Sequence, residues 1–301
     1  MNISYSQLTK TFGTKIESFS HDNILHFPTS EVDNLLKNSS LLLFRGFAID
    51  TEKFKEFSNS ICQDFLAYVG GAYSRDMINE DKTLLSVTGH KLHFAVPFHG
   101  EMYYKKYKPE LLWFYCANPP LKDGQTTICD GIEVYEHLSP KTQELLTNSQ
   151  IKYMRTYIDG SWQKIYQTDN LNDLEKTCQE NDLKLIVNED MSVTTEYTCL
   201  AAIDSRCGKH KVFINNILPV IEQELEGKSH SKVRWEDGSK IADDVIAEIK
   251  KVTDELTFLV DWHRQDLVVF DNRRLMHGRR AFADNERDIY VRMGNPIASP
   301  F

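Results

Sequence analysis

No stretch of this chain comes near the eighteen or so consecutive apolar residues that a membrane-crossing helix requires, and no charged-then-apolar leader opens it. A cytoplasmic protein is expected. Cysteine is sparse: Cys62, Cys116, Cys129, Cys178, Cys199 and Cys207 are scattered without a CxxC pair, which argues against a structural zinc site and a disulfide framework. They are expected as reduced thiols. Positive charge is also short, with 35 Lys and Arg against 44 Asp and Glu, so a basic stripe for a phosphate backbone is missing and nucleic acid is not an expected partner. Repeats, low-complexity tracts and Pro/Gly/Ser-rich linkers are lacking too, so nothing in the 301 residues invites a domain boundary. A single domain, 1–301, is the expectation.

Short segments rich in β-branched and aromatic residues are plentiful. Residues 41–47, 111–116, 126–129, 151–157, 191–197, 211–215, 256–262 and 267–270 read as strands between turn signals. Helical periodicity is confined to 52–66, 171–181 and 241–256, the last with Ile241, Val245, Ile246, Ile249 and Val252 on one stripe. Many short strands without βαβ alternation, and no GxGxxG, disfavour a Rossmann fold. They predict a mainly β protein with peripheral helices around a double-stranded β-helix, or jelly roll.

The segment Pro97-Phe98-His99-Gly100-Glu101 carries the main chemical signal. In extended chain His99 and Glu101 project to one side and can share a metal, while Gly100 leaves room between them. An isolated HxE carries little weight in a chain with ten histidines. A distant third ligand gives it meaning, because two histidines and one carboxylate on one face of ferrous iron leave three positions open. His277, after the apolar run 267–270 and expected at a strand end, is the candidate. His93 competes with His99 by proximity.

Three open positions suit a bidentate oxoacid and O2, and the far carboxylate of 2-oxoglutarate calls for a guanidinium fork. Asp284-Asn285 is a turn signal, and a hairpin centred there sets Arg292 opposite His277. Arg292 is therefore the expected anchor, with Arg287 the alternative if a bulge shifts the register. Thr126 is placed to add a hydroxyl donor.

These residues resemble those of the taurine dioxygenase and clavaminate synthase family of iron and 2-oxoglutarate oxygenases. HGEMYY (99–104) is similar to its first-ligand motif, closest to the clavaminate synthase branch. PPLKDGQTT (119–127) resembles its PP-x-x-GG-x-T segment, DNRRLMHGRRAF (271–282) its second-histidine motif and RDIYVRMG (287–294) its arginine motif. The resemblance implies Fe(II), 2-oxoglutarate and O2 as cofactor and co-substrates, a contact from Thr126 to 2-oxoglutarate, and release of succinate and CO2 as a small substrate is hydroxylated or desaturated. Asp123 departs from the family, which usually has glycine there. The positions where relatives carry a second, substrate-gripping arginine hold Asp288 and Pro296. Arg287 or Arg155 is left to serve, and Tyr103, Tyr104 and Trp162 are candidate pocket walls. HGEMYY and FINNIL also resemble enzymes of natural-product assembly, among them those that modify amino-acid isonitriles. Two other readings compete: a zinc-dependent hydrolase using His99, Glu101 and His277, and a jelly-roll binding protein without catalysis.

Overall fold

The computed structural model describes residues 1–66, 76–78, 81–87, 93–227, 230–283 and 286–297. Numbered along the chain, one nine-stranded sheet contains β1 (Ile3–Gln7), β2 (Thr14–Ser18), β3 (Leu41–Arg45), β4 (Cys62–Gln63), β5 (Asp76–Ile78), β6 (Asp81–Ser86), β8 (Leu111–Asn118), β17 (Leu267–Asp271) and β19 (Asp288–Pro296). A four-stranded sheet contains β7 (Val96–His99), β9 (Thr126–Asp130), β16 (Phe258–Val260) and β18 (Leu275–Arg279), in the order β16-β9-β18-β7. The mainly β jelly-roll expectation is met.

The runs Leu41-Leu42-Leu43-Phe44, Leu112-Trp113-Phe114-Tyr115 and Val268-Val269-Phe270 do not alternate polar and apolar because both faces of the large sheet are buried. β17 lies antiparallel between β3 and β8, with Val269 opposite Leu42 on one side and Trp113 on the other. That face packs with Val32 and Leu36 of α1 (Thr29–Ser39) and with Phe54 and Phe57 of α2 (Thr51–Asn59). The opposite face presents Phe114 and Phe270, stacked 5.8 Å apart, toward the four-stranded sheet.

Contacts divide the chain into two compact units: Met1–Val96 with Pro109–Asp130 and Thr257–Phe301, and Pro97–Lys108 with Gly131–Leu256. Their segments interleave along the sequence, so no single cut separates them. The second unit carries an antiparallel sheet of β11 (Leu183–Val187), β12 (Val193–Leu200), β10 (Gln150–Tyr157) and β15 (Ser231–Trp235), in that order, and the pair β13 (Ile203–Asp204) and β14 (Lys211–Val212). Among the described residues six helices accompany them: α3 (Gly131–His137), α4 (Pro140–Asn148), α5 (Ser161–Tyr166), α6 (Leu171–Glu180), α7 (Ile217–Leu225) and α8 (Asp243–Glu255). Trp162 of α5 is core, packed with Leu174, Cys178 and Val193, and its indole N–H donates to the Met191 carbonyl at 3.1 Å; it is not a pocket wall.

The helix expected over 52–66 is shorter. Asp50 caps it by accepting from the Lys53 N–H at 2.8 Å, and the chain leaves at Ser60 to form β4. Helices α1, α3, α4, α5 and α7 escaped the periodicity reading. In α7 Pro219 falls in the first turn, where a missing N–H costs no intrahelical bond. Among the described residues no helix is long and apolar enough to cross a membrane, and none of the six cysteines is in a disulfide.

Candidate metal centre

His99 ends β7, and Glu101 follows it in a turn rather than in extended chain. That turn is tight: Met102 adopts a left-handed φ of 62°. It is tied down by the Gly100 N–H, which donates to the Asn215 carbonyl at 2.9 Å, and by Lys108, whose ammonium donates to the Tyr197 hydroxyl at 3.1 Å. Gly100 is required by packing. A Cβ there would lie 2.5 Å from the Tyr103 ring and 2.6 Å from Ile214 Cγ1, so the small residue serves those two side chains.

The His99 ring is oriented by its own neighbourhood. Its Nδ1–H donates to the Pro97 carbonyl at 2.9 Å, which fixes the tautomer and leaves the Nε2 lone pair for a metal. Glu101 is 3% exposed.

His277 lies in the middle of β18, not at a strand end, paired with Ile128 of β9. Its ring is flanked by Phe114 at 5.6 Å and Phe270 at 5.7 Å, apolar walls that keep water from the imidazole. One ligand atom from each of His99, Glu101 and His277 lies within 4.8 Å of the others. His93 is elsewhere: its ring sits 4.9 Å from Phe282 and its carbonyl accepts from the Phe282 N–H.

The donor set fits ferrous iron. Two neutral imidazoles and one carboxylate without thiolate suit a borderline divalent ion, and three ligands leave coordination positions for an oxoacid and O2.

The hairpin expected to bring Arg292 beside His277 does not form. β18 pairs with β9 in the smaller sheet, whereas β19 crosses to the larger one and pairs with β8 and β6. The turn signal Asp284-Asn285 lies outside the described residues. Arg292 is opposite Trp113, on the α2 face of the sheet, while Phe114 on the next position points to His277. Its guanidinium donates to the Lys55 carbonyl, Ser58 Oγ, Asn59 Oδ1 and Thr83 Oγ1, and lies 3.6 Å from the Phe65 ring centroid.

Thr126 and His277 share a face of the smaller sheet, since Thr126 opposes Arg279 and Ile128 opposes His277. The Trp262 indole N–H donates to Thr126 Oγ1 at 3.1 Å, which directs the threonine O–H to a different acceptor. Arg279 is engaged with the Val87 and Phe94 carbonyls, each at 2.9 Å. Arg287 is among the largest fully buried side chains, 2% exposed, and its Nε–H donates to the Gly124 carbonyl at 2.8 Å, two residues before Thr126. A Cβ on Gly124 would sit 2.9 Å from Phe282 and 3.2 Å from Arg287 Cδ, so glycine there makes space for the guanidinium stem. Asp123, the departure noted in the sequence, has φ 59°, a conformation Asp tolerates better than most residues.

A jelly roll offering a His-Glu-His facial set is the construction of mononuclear non-haem iron oxygenases. The family described as "Taurine catabolism dioxygenase TauD, TfdA family" matches residues 4–293. The chain belongs to that family and is an Fe(II)- and 2-oxoglutarate-dependent dioxygenase. It is 26% identical over 269 residues to a clavaminate synthase-like protein of Arabidopsis thaliana, covering 83% of this chain and 80% of the relative. It is 23% identical over 288 residues to the dapdiamide synthesis protein DdaC of Enterobacter agglomerans, covering 90% and 87%. The structure resembles PvcB of Pseudomonas aeruginosa with a TM-score of 0.62 at 16% identity, over all of this chain and 95% of PvcB. Another PvcB structure, described as an iron, 2-oxoglutarate-dependent oxygenase from an isonitrile synthetic pathway, gives 0.60 at 16%, again over all of this chain and 95% of that one. The zinc-hydrolase reading gains no support from these likenesses.

Proposed function

We propose that this dioxygenase oxidises a small amino-acid-like or carboxylic-acid substrate, by hydroxylation or desaturation, in natural-product biosynthesis in the cytoplasm. The observation that carries the reading is the convergence of His99, Glu101 and His277 ligand atoms within 4.8 Å. The setting in biosynthesis is supported by likeness to proteins named for dapdiamide synthesis and for an isonitrile pathway. Net charge of −9 suits a small-molecule enzyme and not a nucleic-acid binder.

In this reading His99, Glu101 and His277 hold iron. With 2-oxoglutarate and O2 the bound metal supplies the oxidising equivalents that remove a substrate hydrogen, 2-oxoglutarate being converted to succinate and CO2. The chain contributes placement and environment. The Pro97 carbonyl keeps His99 in the tautomer that binds through Nε2. Phe114 and Phe270 exclude water around His277. Glu101 would hold the metal as its carboxylate ligand, which disfavours halogenation. Thr126, polarised by Trp262, donates its O–H to the far carboxylate of 2-oxoglutarate. Arg287, the alternative weighed from the sequence, is the better anchor for that carboxylate, because Arg292 lies on the other face of its sheet.

The test is succinate release by the full chain with Fe(II) and 2-oxoglutarate across free amino acids, modified amino acids and small carboxylic acids. One substrate class is expected to stimulate release together with O2 uptake. Hydrolysis supported by zinc without O2 uptake would contradict the reading.

A further inference from the structure

The left-handed Met102 directly follows Glu101, and a residue with a Cβ keeps that conformation only where its surroundings hold it. Part of what holds it lies in the same compact unit, on β12. This is an inner strand, flanked by β11 and β10, and Val193, Tyr197 and Cys199 project from one of its faces. Val193 packs there with Trp162 of α5 and Leu174 of α6. Farther along the same face the turn is received: the Cys199 thiol donates to the Tyr103 carbonyl at 3.9 Å, and the Tyr197 hydroxyl accepts from Lys108.

Lys108 closes the turn from its far end. Its ammonium has three N–H groups and meets three acceptors, the Lys105 carbonyl at 2.6 Å, the Lys106 carbonyl at 3.3 Å and the Tyr197 hydroxyl at 3.1 Å. The Tyr103 and Tyr197 rings flank it, their centroids 5.3 and 5.2 Å from Nζ. Burial pushes the ammonium below its ordinary value, and Cys199 opposes the shift. Taking a cation out of water costs free energy, and here its partners are carbonyls, a hydroxyl and ring faces. What it supplies in return is geometry. One point charge gathers Tyr103, Lys105, Lys106 and Tyr197, so the chain behind Glu101 is ordered before any ion arrives. A ligand that is already ordered loses less entropy on binding.

We infer that Lys108 is a positioning residue for the metal: by binding the carbonyls that follow Glu101 and the Tyr197 hydroxyl, it holds the Glu101 turn on β12 and so sets how tightly the ion is bound. The inference rests on the oxygenase reading and adds to its site a residue outside the ligand set.

Calorimetric titration of Mn(II), which accepts the same donors, into the full chain tests it, with thermal melting of each protein read alongside. Lys108→Met keeps the apolar stem and loses the ammonium, and is expected to weaken Mn(II) binding about tenfold or more. Tyr197→Phe loses only the hydroxyl and is expected to weaken it about threefold or more. Since both remove one contact, the double variant is expected within about twofold of Lys108→Met alone. Trp162→Phe deletes the N–H bond to the Met191 carbonyl in the same unit, away from the turn, and is expected to melt earlier with Mn(II) affinity at the wild-type value. Unchanged affinity in Lys108→Met, additive losses in the double variant, or an equal loss in Trp162→Phe would overturn the inference. So would unchanged affinity in Tyr197→Phe, which decides the matter alone should Lys108→Met not fold. Failure of the wild type to bind one Mn(II) would overturn the oxygenase reading itself.

Discussion

Arg292 faces Trp113 across β19 and β8, which turns its guanidinium away from the Phe114 side of the sheet and from His277. In the proposed reading the two arginines, five positions apart, have separate tasks. Arg292→Met removes donors to Ser58, Asn59, Thr83 and the Lys55 carbonyl, and is expected to cost about 2–4 kcal/mol of stability. Its 2-oxoglutarate affinity stays within about threefold of wild type, since no charged bond to the ligand, worth about 1.5–3 kcal/mol, is lost. Arg287→Gln does the reverse and weakens 2-oxoglutarate by about tenfold or more. Chemical denaturation and 2-oxoglutarate titration on both variants separate the tasks.

Gly100→Ala forces a methyl group against Tyr103 and Ile214 at distances no side chain adopts, 2.5 and 2.6 Å. The neighbours are side chains, so the turn yields instead of the fold collapsing. A loss of about 1–3 kcal/mol is expected, with a weakened Fe(II) affinity because Glu101 moves with the turn. Metal titration and thermal melting of the one variant read both effects.

Trp262→Phe deletes the N–H that bonds Thr126 Oγ1 at 3.1 Å while keeping most of the apolar volume. The threonine hydroxyl then loses its fixed orientation. The 2-oxoglutarate KM is expected to rise severalfold, on the order of the ~1 kcal/mol that a neutral hydrogen bond contributes. An unchanged KM would remove Thr126 from the 2-oxoglutarate site.

Arg234 on β15 donates to Glu224 of α7 and holds its carboxyl below the ordinary value of 4.5. A carboxylate whose folded pKa is depressed adds stability that is complete above the unfolded value and is lost as pH falls through the folded one. Glu224→Gln should thus be less stable than wild type, by up to about 1 kcal/mol for this partly exposed pair. The gap should hold constant from pH 7 to about 5 and close below about 4.5. Denaturation of both proteins across that range checks the sign.

Local patterns in the sequence carried β3, β8 and β17 of the large sheet and the candidate pair His99 and Glu101, because apolar runs and the HxE triplet are properties of neighbouring residues; the short or polar strands β1, β2, β4, β5 and β6 give no such run. His277 does lie with His99 and Glu101, yet its position in mid-strand is not legible in the sequence: Leu275-Met276-His277-Gly278-Arg279 has no β-branched residue, and pairing with β9 makes it a strand. The hairpin expected to set Arg292 beside His277 fails for a related reason. Which sheet β19 joins is decided by Trp113, Phe114 and their partners nearly two hundred positions away, and a turn signal at 284–285 says nothing of that. The Glu101 turn was likewise hidden, since Met102 at a left-handed φ is set by Tyr103, Ile214 and Asn215.

The central claim is that His99, Glu101 and His277 form one iron site that also receives 2-oxoglutarate. Visible absorption under anaerobic conditions tests it most directly, as Fe(II) and then 2-oxoglutarate are added to the wild type and to His99→Ala and His277→Ala. A weak charge-transfer band that saturates at one 2-oxoglutarate per chain in the wild type, and is lost in both variants, is the predicted result. A wild type that binds Fe(II) and gives no band, or variants that keep it, would contradict the account.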